Sequence, residues 1–133
     1  ADFTHGQPEF ASIDVSFISL SLILPPLAQI LKMGGSVVAL IKPQFEAGKE
    51  HVGKHGIVRD RKVHEEVLQH VLGFATADHF DVLGLDFSPI KGGQGNIEFL
   101  AHLQLVDREC RIAPEVDIDQ TISAAYAELN KQD

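Results

Sequence analysis

The stretch VVALIKPQFEAG, residues 37–48, decides how this chain is read. A continuous apolar run ends abruptly at Lys42, and a proline, a glutamine, a phenylalanine and a carboxylate follow at once. Gly34 and Gly35 bound the run upstream. A short, unbroken apolar run between such signals suits a strand buried on both faces, as in a parallel sheet. The strand is expected over residues 36–41, which places the Lys42 ammonium group at its carboxyl end.

The segments around it alternate between strand and helix patterns. Residues 9–17, EFASIDVSF, are β-branched and aromatic, with Gly6 and Pro8 just upstream, and read as a short strand. A turn into a helix follows, with Ser19 as a cap and Gly34-Gly35 as its end. Proline is tolerated in a first helical turn, so the regular helix is expected to begin near Pro25. Residues 43–60 carry Pro43, Gly48, Gly53 and Gly56 together with the bases Lys49, His51, Lys54, His55 and Arg59. A connection this long is usually functional. Residues 61–78 place Val63, Val67, Leu68, Val71, Leu72 and Ala75 at helical spacing. Residues 79–88 read as a strand, and residues 97–106 alternate as a half-buried one. With the glycine-rich loop PIKGGQGN between them, these two form an antiparallel pair. Residues 117–132 close the chain as an amphipathic helix.

Strand–helix alternation of this kind predicts an α/β fold with a mostly parallel sheet and an antiparallel C-terminal strand. The chain has 133 residues, enough for one domain or part of one, and 44% of them are hydrophobic, enough for a packed core. The single cysteine, Cys110, excludes an intramolecular disulfide and fits a reducing, cytoplasmic setting. It reads as a half-buried thiol rather than a nucleophile. No stretch reaches the roughly 20 apolar residues that span a bilayer, so no stable membrane association is expected. The net charge of −8 argues against a free-standing nucleic-acid module, which usually carries a basic face. The closely spaced glycines that hold a nucleotide after the first strand of an open sheet are missing from the start of this chain. KGGQGN lies between two strands and reads as a turn.

Ligands of open α/β sheets sit beyond the carboxyl ends of the strands. Asp14 falls near the end of the first strand and Lys42 just past the second. If the last strand runs antiparallel, its beginning lies at the same edge, and Glu98 falls there. Three ionisable groups from three segments therefore converge on one crevice. A lysine flanked by carboxylates is either a rim ion pair or a proton acceptor. The second role needs burial or another cation to oppose the carboxylates.

DVSFISL (residues 14–20), KPQFEAG (42–48), GIVRD (56–60) and SPIKGGQGNIEFL (88–100) resemble, in order, the blocks of the TlyA or haemolysin A family. That family in turn is similar to FtsJ-like methyltransferases, which use S-adenosylmethionine to methylate ribose 2′-hydroxyls of ribosomal RNA. The resemblance implies an incomplete Rossmann-like methyltransferase sheet, with S-adenosylmethionine as cofactor and ribosomal RNA or a ribosomal subunit as partner. The family's catalytic set is two lysines, an aspartate and a glutamate. Asp14, Lys42 and Glu98 match three of its members. Lys42 is then the base, Asp14 orients it and favours the cofactor's positive sulfur, and Glu98 hydrogen-bonds the lysines or the ribose. The other lysine, the glycine-rich cofactor loop and a small RNA-binding domain are expected upstream of Ala1. Residues 1–133 then form the C-terminal part of the methyltransferase domain, inactive or nearly so alone.

Further substrate contacts are expected from Phe45, which either stacks on a base or packs as a core or loop phenylalanine, from Arg59, and from Ser88 and Asn96 at the crevice border. Lys49, Lys54 and Arg61 join Arg59 as candidates for phosphate contact or as a solvated face. Seven histidines invite a metal, but neither the pair His51 and His55 nor the pair His64 and His70 has zinc-like spacing. Two other functions compete. One is a membrane-active haemolysin, disfavoured by the lack of a basic amphipathic helix. The other is a non-catalytic α/β domain that binds RNA or a nucleotide.

Overall fold

The computed structural model describes residues 7–15, 18–48, 52, 56–92 and 95–129. Its element order is β1 (Phe10–Ile13), α1 (Leu20–Ile30), β2 (Ser36–Ile41), α2 (Pro43–Glu46), α3 (Arg61–Ala77), β3 (Phe80–Phe87), β4 (Phe99–Leu105) and α4 (Ile118–Leu129). The four strands form one sheet in the order β1-β2-β4-β3. β1 runs parallel to β2, and β4 runs antiparallel to both β2 and β3. Three strands thus point one way and the last opposes them, as expected. β4 does not lie at the edge; it is inserted between β2 and β3.

Strand burial follows from that position. β2 has a partner on each side and buries Val37, Ala39 and Ile41 completely. β4 contributes Phe99, Ala101 and Leu103 to the same core, also with no exposed surface. Each fully buried valine, leucine, isoleucine or phenylalanine among them is worth about 2 kcal/mol. The outer edge of β3 is covered at Val82, whose N–H donates to the Arg111 carbonyl and whose carbonyl accepts from Ala113 N–H. Asp81 anchors this cover. Its buried carboxylate accepts from Arg108 Nη2 at 2.6 Å and from Arg111 N–H at 2.7 Å. Burial alone would raise its pKa, but these hydrogen bonds and the two arginine charges outweigh it and hold the group below the ordinary value.

α1 departs from expectation. It begins at Leu20, not near Pro25, and both Pro25 and Pro26 lie inside it. The two rings remove the bonds that would reach the carbonyls of Ser21 and Leu22. Both of those residues are exposed, so water can take up the carbonyls. Ser19 caps the helix as read, accepting from Ser21 N–H at 3.1 Å. The helix ends at Ile30, and Gly34, with φ of 84°, makes the left-handed turn into β2. α3 is capped by Asp60 and packs on β3, α1, α2 and α4. The long connection after β2 starts with α2, one turn of helix that the sequence pattern did not reveal.

Candidate functional site

The pairing register builds the site. Ile13 lies opposite Ala39, and Ile41 lies opposite Phe99. Lys42 directly follows Ile41 and Glu98 directly precedes Phe99, so both lie just beyond the same end of the β2–β4 pairing. Asp14 directly follows Ile13 at the end of β1. Lys42 Nζ lies 2.6 Å from Asp14 Oδ1. The lysine side chain is 15% exposed and the aspartate 68%, so the amine is sunk into the edge while its partner faces solvent. Glu98 is 5% exposed. Its Oε2 accepts from Gln44 Nε2 at 2.8 Å, and its carboxylate rests against Gly92 with no space for a Cβ between them. The three residues expected to converge are thus brought to one rim of the sheet.

The residues after Lys42 explain the odd sequence there. Pro43 takes the first position of α2, where a missing N–H costs nothing. The Lys42 carbonyl accepts from Phe45 N–H at 2.9 Å and Glu46 N–H at 3.2 Å. Glu46 turns back toward the first loop. Its Oε1 accepts from Ser19 Oγ at 2.7 Å and its Oε2 from Leu20 N–H at 2.9 Å. Burial pushes the Glu46 carboxyl above its ordinary value, and the Ser19 and Leu20 bonds pull it partly back.

The expected substrate contacts divide. Phe45 lies on α2, half-buried, next to the site in sequence. Ser88 borders Glu98 through a backbone bond, its N–H donating to the Glu98 carbonyl at 2.8 Å. Its hydroxyl donates to the Ile90 carbonyl at 3.1 Å. Asn96 is buried, and its side chain spans the loop before α3. Oδ1 accepts from Val58 N–H at 2.9 Å and Nδ2 donates to the Gly56 carbonyl at 2.8 Å. Asn96 thus holds the loop that carries Arg59, whose side chain is exposed. Arg61 is turned away onto α4, where Nη2 donates to Asp119 Oδ1 at 2.6 Å and to Ser123 Oγ at 2.9 Å. Lys49, His51, Lys54 and His55 lie outside the described residues. His64 is buried, with Nδ1 against the Tyr126 hydroxyl. Among the described residues no group of histidine, cysteine and carboxylate side chains is arranged to hold a metal ion. Cys110 is half-buried, and burial raises its pKa, which makes it a poor nucleophile.

Gln44, Glu46 and Gly92 are the site residues that sequence reasoning passed over. All three lie inside the blocks that drew attention, KPQFEAG and KGGQGN, but only the fold shows what each touches.

Fold and edge define the class: an open α/β domain whose ionisable groups gather beyond the carboxyl ends of its parallel strands. Comparison with known proteins gives the particular family. The model of the FtsJ-like methyltransferases matches residues 1–105. YqxC of Bacillus subtilis, provisionally named an rRNA methyltransferase, is 53% identical over 134 residues, covering 99% of this chain and 48% of that protein. The 16S/23S rRNA (cytidine-2′-O)-methyltransferase TlyA of Mycobacterium tuberculosis is 34% identical over 99 residues, covering 74% of this chain and 37% of TlyA. A solved structure from Streptococcus thermophilus, provisionally named a hemolysin, superposes with a TM-score of 0.92 at 57% identity, covering 98% of this chain and 46% of that one. The chain belongs to the FtsJ-like methyltransferase family. It spans about half the length, or less, of these relatives.

Proposed function

We propose that this chain is the C-terminal part of a methyltransferase domain that transfers a methyl group from S-adenosylmethionine to a ribose 2′-hydroxyl of ribosomal RNA. The activity belongs to a protein of its relatives' length, working in the cytoplasm; the 133 residues alone are expected to be inactive. The observation that carries this reading is the Lys42–Asp14 pair at 2.6 Å on the strand edge, with Glu98 just beyond the Ile41–Phe99 pairing at the same edge, in a member of this family.

A ribose hydroxyl becomes a competent nucleophile as its proton leaves, and a positioned base supplies that. Lys42 is that base: its amine is largely withdrawn from water and anchored on one side. Asp14 orients it and presents an exposed carboxylate, which suits a neighbouring cationic group. That fits S-adenosylmethionine, which supplies a methyl group on positively charged sulfur. Asp14 is therefore assigned to the cofactor as well. Glu98, buried and held by Gln44, hydrogen-bonds the ribose or the lysine. Phe45, Arg59 and Ser88 form the surrounding RNA-facing shell, and Asn96, itself buried, acts through the Gly56–Val58 backbone it holds. Alignment of the reacting atoms supplies a large part of the rate.

The test is methyl transfer from labelled S-adenosylmethionine to ribosomal RNA by the intact protein and by its Lys42→Ala variant. Transfer by the parent to ribose, lost in the variant while cofactor binding persists, is the expected result. Cofactor binding without any transfer to ribosomal subunits or naked RNA would favour the non-catalytic reading. The haemolysin reading has a separate readout, leakage of lipid vesicles, and among the described residues no helix is long and apolar enough to cross a membrane.

A further inference from the structure

The three proposed reacting residues stand on three separate segments, and one short element contacts two of them and the segment that follows the third. α2 begins immediately after Lys42, and its Phe45 and Glu46 amides bind the Lys42 carbonyl. Successive residues of a helix are rotated by about 100°, so Gln44 and Glu46 leave the turn on nearly opposite sides, about 200° apart. The sheet order places β2 between β1 and β4. Those two sides are the two flanks of the site. Gln44 reaches the β4 flank and donates to Glu98 Oε2 at 2.8 Å. Glu46 reaches the segment that follows β1 and accepts from Ser19 Oγ and Leu20 N–H.

We propose that α2 is the bracket that sets the spacing of the site, with Gln44 and Glu46 as positioning residues. The inference rests on the roles proposed above for Asp14, Lys42 and Glu98. Gln44 Oε1 is buried and has no partner among the described residues. The reversed amide would set that oxygen against the Glu98 carboxylate, so the orientation is dictated by Glu98 at the expense of an unsatisfied acceptor. Such a cost is expected where holding a side chain matters more than local stability. Glu46 meets the first turn of an eleven-residue helix, where the free N–H groups and the helix dipole favour a carboxylate. Ser19 follows Asp14 by only five residues, so docking the start of α1 restricts where the Asp14 backbone can go relative to Lys42. Gly92 closes the arrangement by backing the Glu98 carboxylate.

The test uses the intact protein with Gln44→Ala, Glu46→Ala, Glu46→Gln and Ser19→Ala, read by steady-state methyl transfer, thermal melting and NMR. Gln44→Ala and Glu46→Ala are expected to lower kcat about tenfold or more, with KM for S-adenosylmethionine within about twofold of the parent. Glu46→Gln keeps one acceptor oxygen for Ser19 or Leu20 and restores most of the loss. Gln44→Ala adds nothing in a Glu98→Ala background, because it acts through that carboxylate. Should Glu46→Ala fail to fold, Ser19→Ala breaks the same contact from the other side. Values of kcat within about twofold of the parent, losses that track only the folded fraction, or additive effects of Gln44→Ala and Glu98→Ala would overturn the bracket. Failure of the functional reading looks different: Lys42→Ala would retain parental methyl transfer. In that event the bracket is still judged by the NMR signals of the Lys42 ε-carbon and the Glu98 carboxyl carbon. Both shift in the bracket variants if the inference holds, and unchanged signals sink it.

Discussion

Gly92 stands against the carboxylate of Glu98 so closely that any side chain at this position would occupy the space of that carboxylate. The obstructing atoms are the far end of a flexible side chain, not backbone, and the Gly92 φ is not left-handed. Gly92→Ala is therefore expected to displace Glu98 rather than to unfold the domain. Methyl transfer should fall about tenfold or more, while the melting temperature moves by less than about 4 °C. Parallel melting and turnover measurements check this. A large drop in melting temperature with unchanged turnover of the folded fraction would count against a site role for Glu98.

Asp14 and Lys42 separate activity from stability in a similar way. The aspartate is 68% exposed, and an ion pair with so exposed a partner contributes less than about 1 kcal/mol. Asp14→Asn should leave the denaturation midpoint almost unchanged. Its effect on methyl transfer should be much larger, about a hundredfold, because the lysine loses the group that orients it. Chemical denaturation alongside single-turnover kinetics measures both quantities on one preparation.

Asn96 should behave in the opposite manner. Its side chain satisfies the buried Val58 N–H and the part-buried Gly56 carbonyl. Asn96→Ala strands both groups and is expected to destabilise the protein by about 2–3 kcal/mol. Amide hydrogen exchange should show lost protection at Val58 before any global change. An Asn96→Ala protein as stable as the parent would return this residue to the role of direct substrate contact.

Acid should weaken the fold in two windows. Burial, ahead of the opposing Val58 and Asp60 contributions, lowers the His64 pKa from its ordinary 6.5. The unfolded chain therefore takes up a proton there first, and stability falls as pH drops through 6.5 toward the folded value. Asp81 acts later. Its folded pKa lies below the ordinary 3.8, so its contribution is complete above that value and disappears as pH falls through the folded one. Stability curves of His64→Leu and Asp81→Asn against pH separate the two. The first variant should flatten the higher window and the second the lower. A parent curve flat from pH 7 to below 5 would exclude the His64 contribution.

Strand β2 was legible because five consecutive apolar residues between glycines and a lysine leave little else to form, and the observed strand matches residues 36–41. Helix α3 was legible because its apolar residues recur with the helical period. Two features escaped for physical reasons. The pattern around Pro25 and Pro26 argued for a late helix start, but exposure of the preceding turn to water relieved the missing hydrogen bonds. α2 is too short for periodicity to show, and its stability comes from contacts with residues distant along the chain.

The sequence by itself determined the α/β class, the antiparallel final strand and which residues carry ionisable groups near strand ends. Those properties depend on neighbours along the chain, through period, turn chemistry and charge. Tertiary structure alone decided that β4 inserts beside β2, which brings Glu98 to the same edge as Lys42, and that Gln44 and Glu46 tie the flanks together. Strand order and side-chain contacts across 26 to 54 residues of separation arise from packing the whole sheet, and no local pattern encodes them.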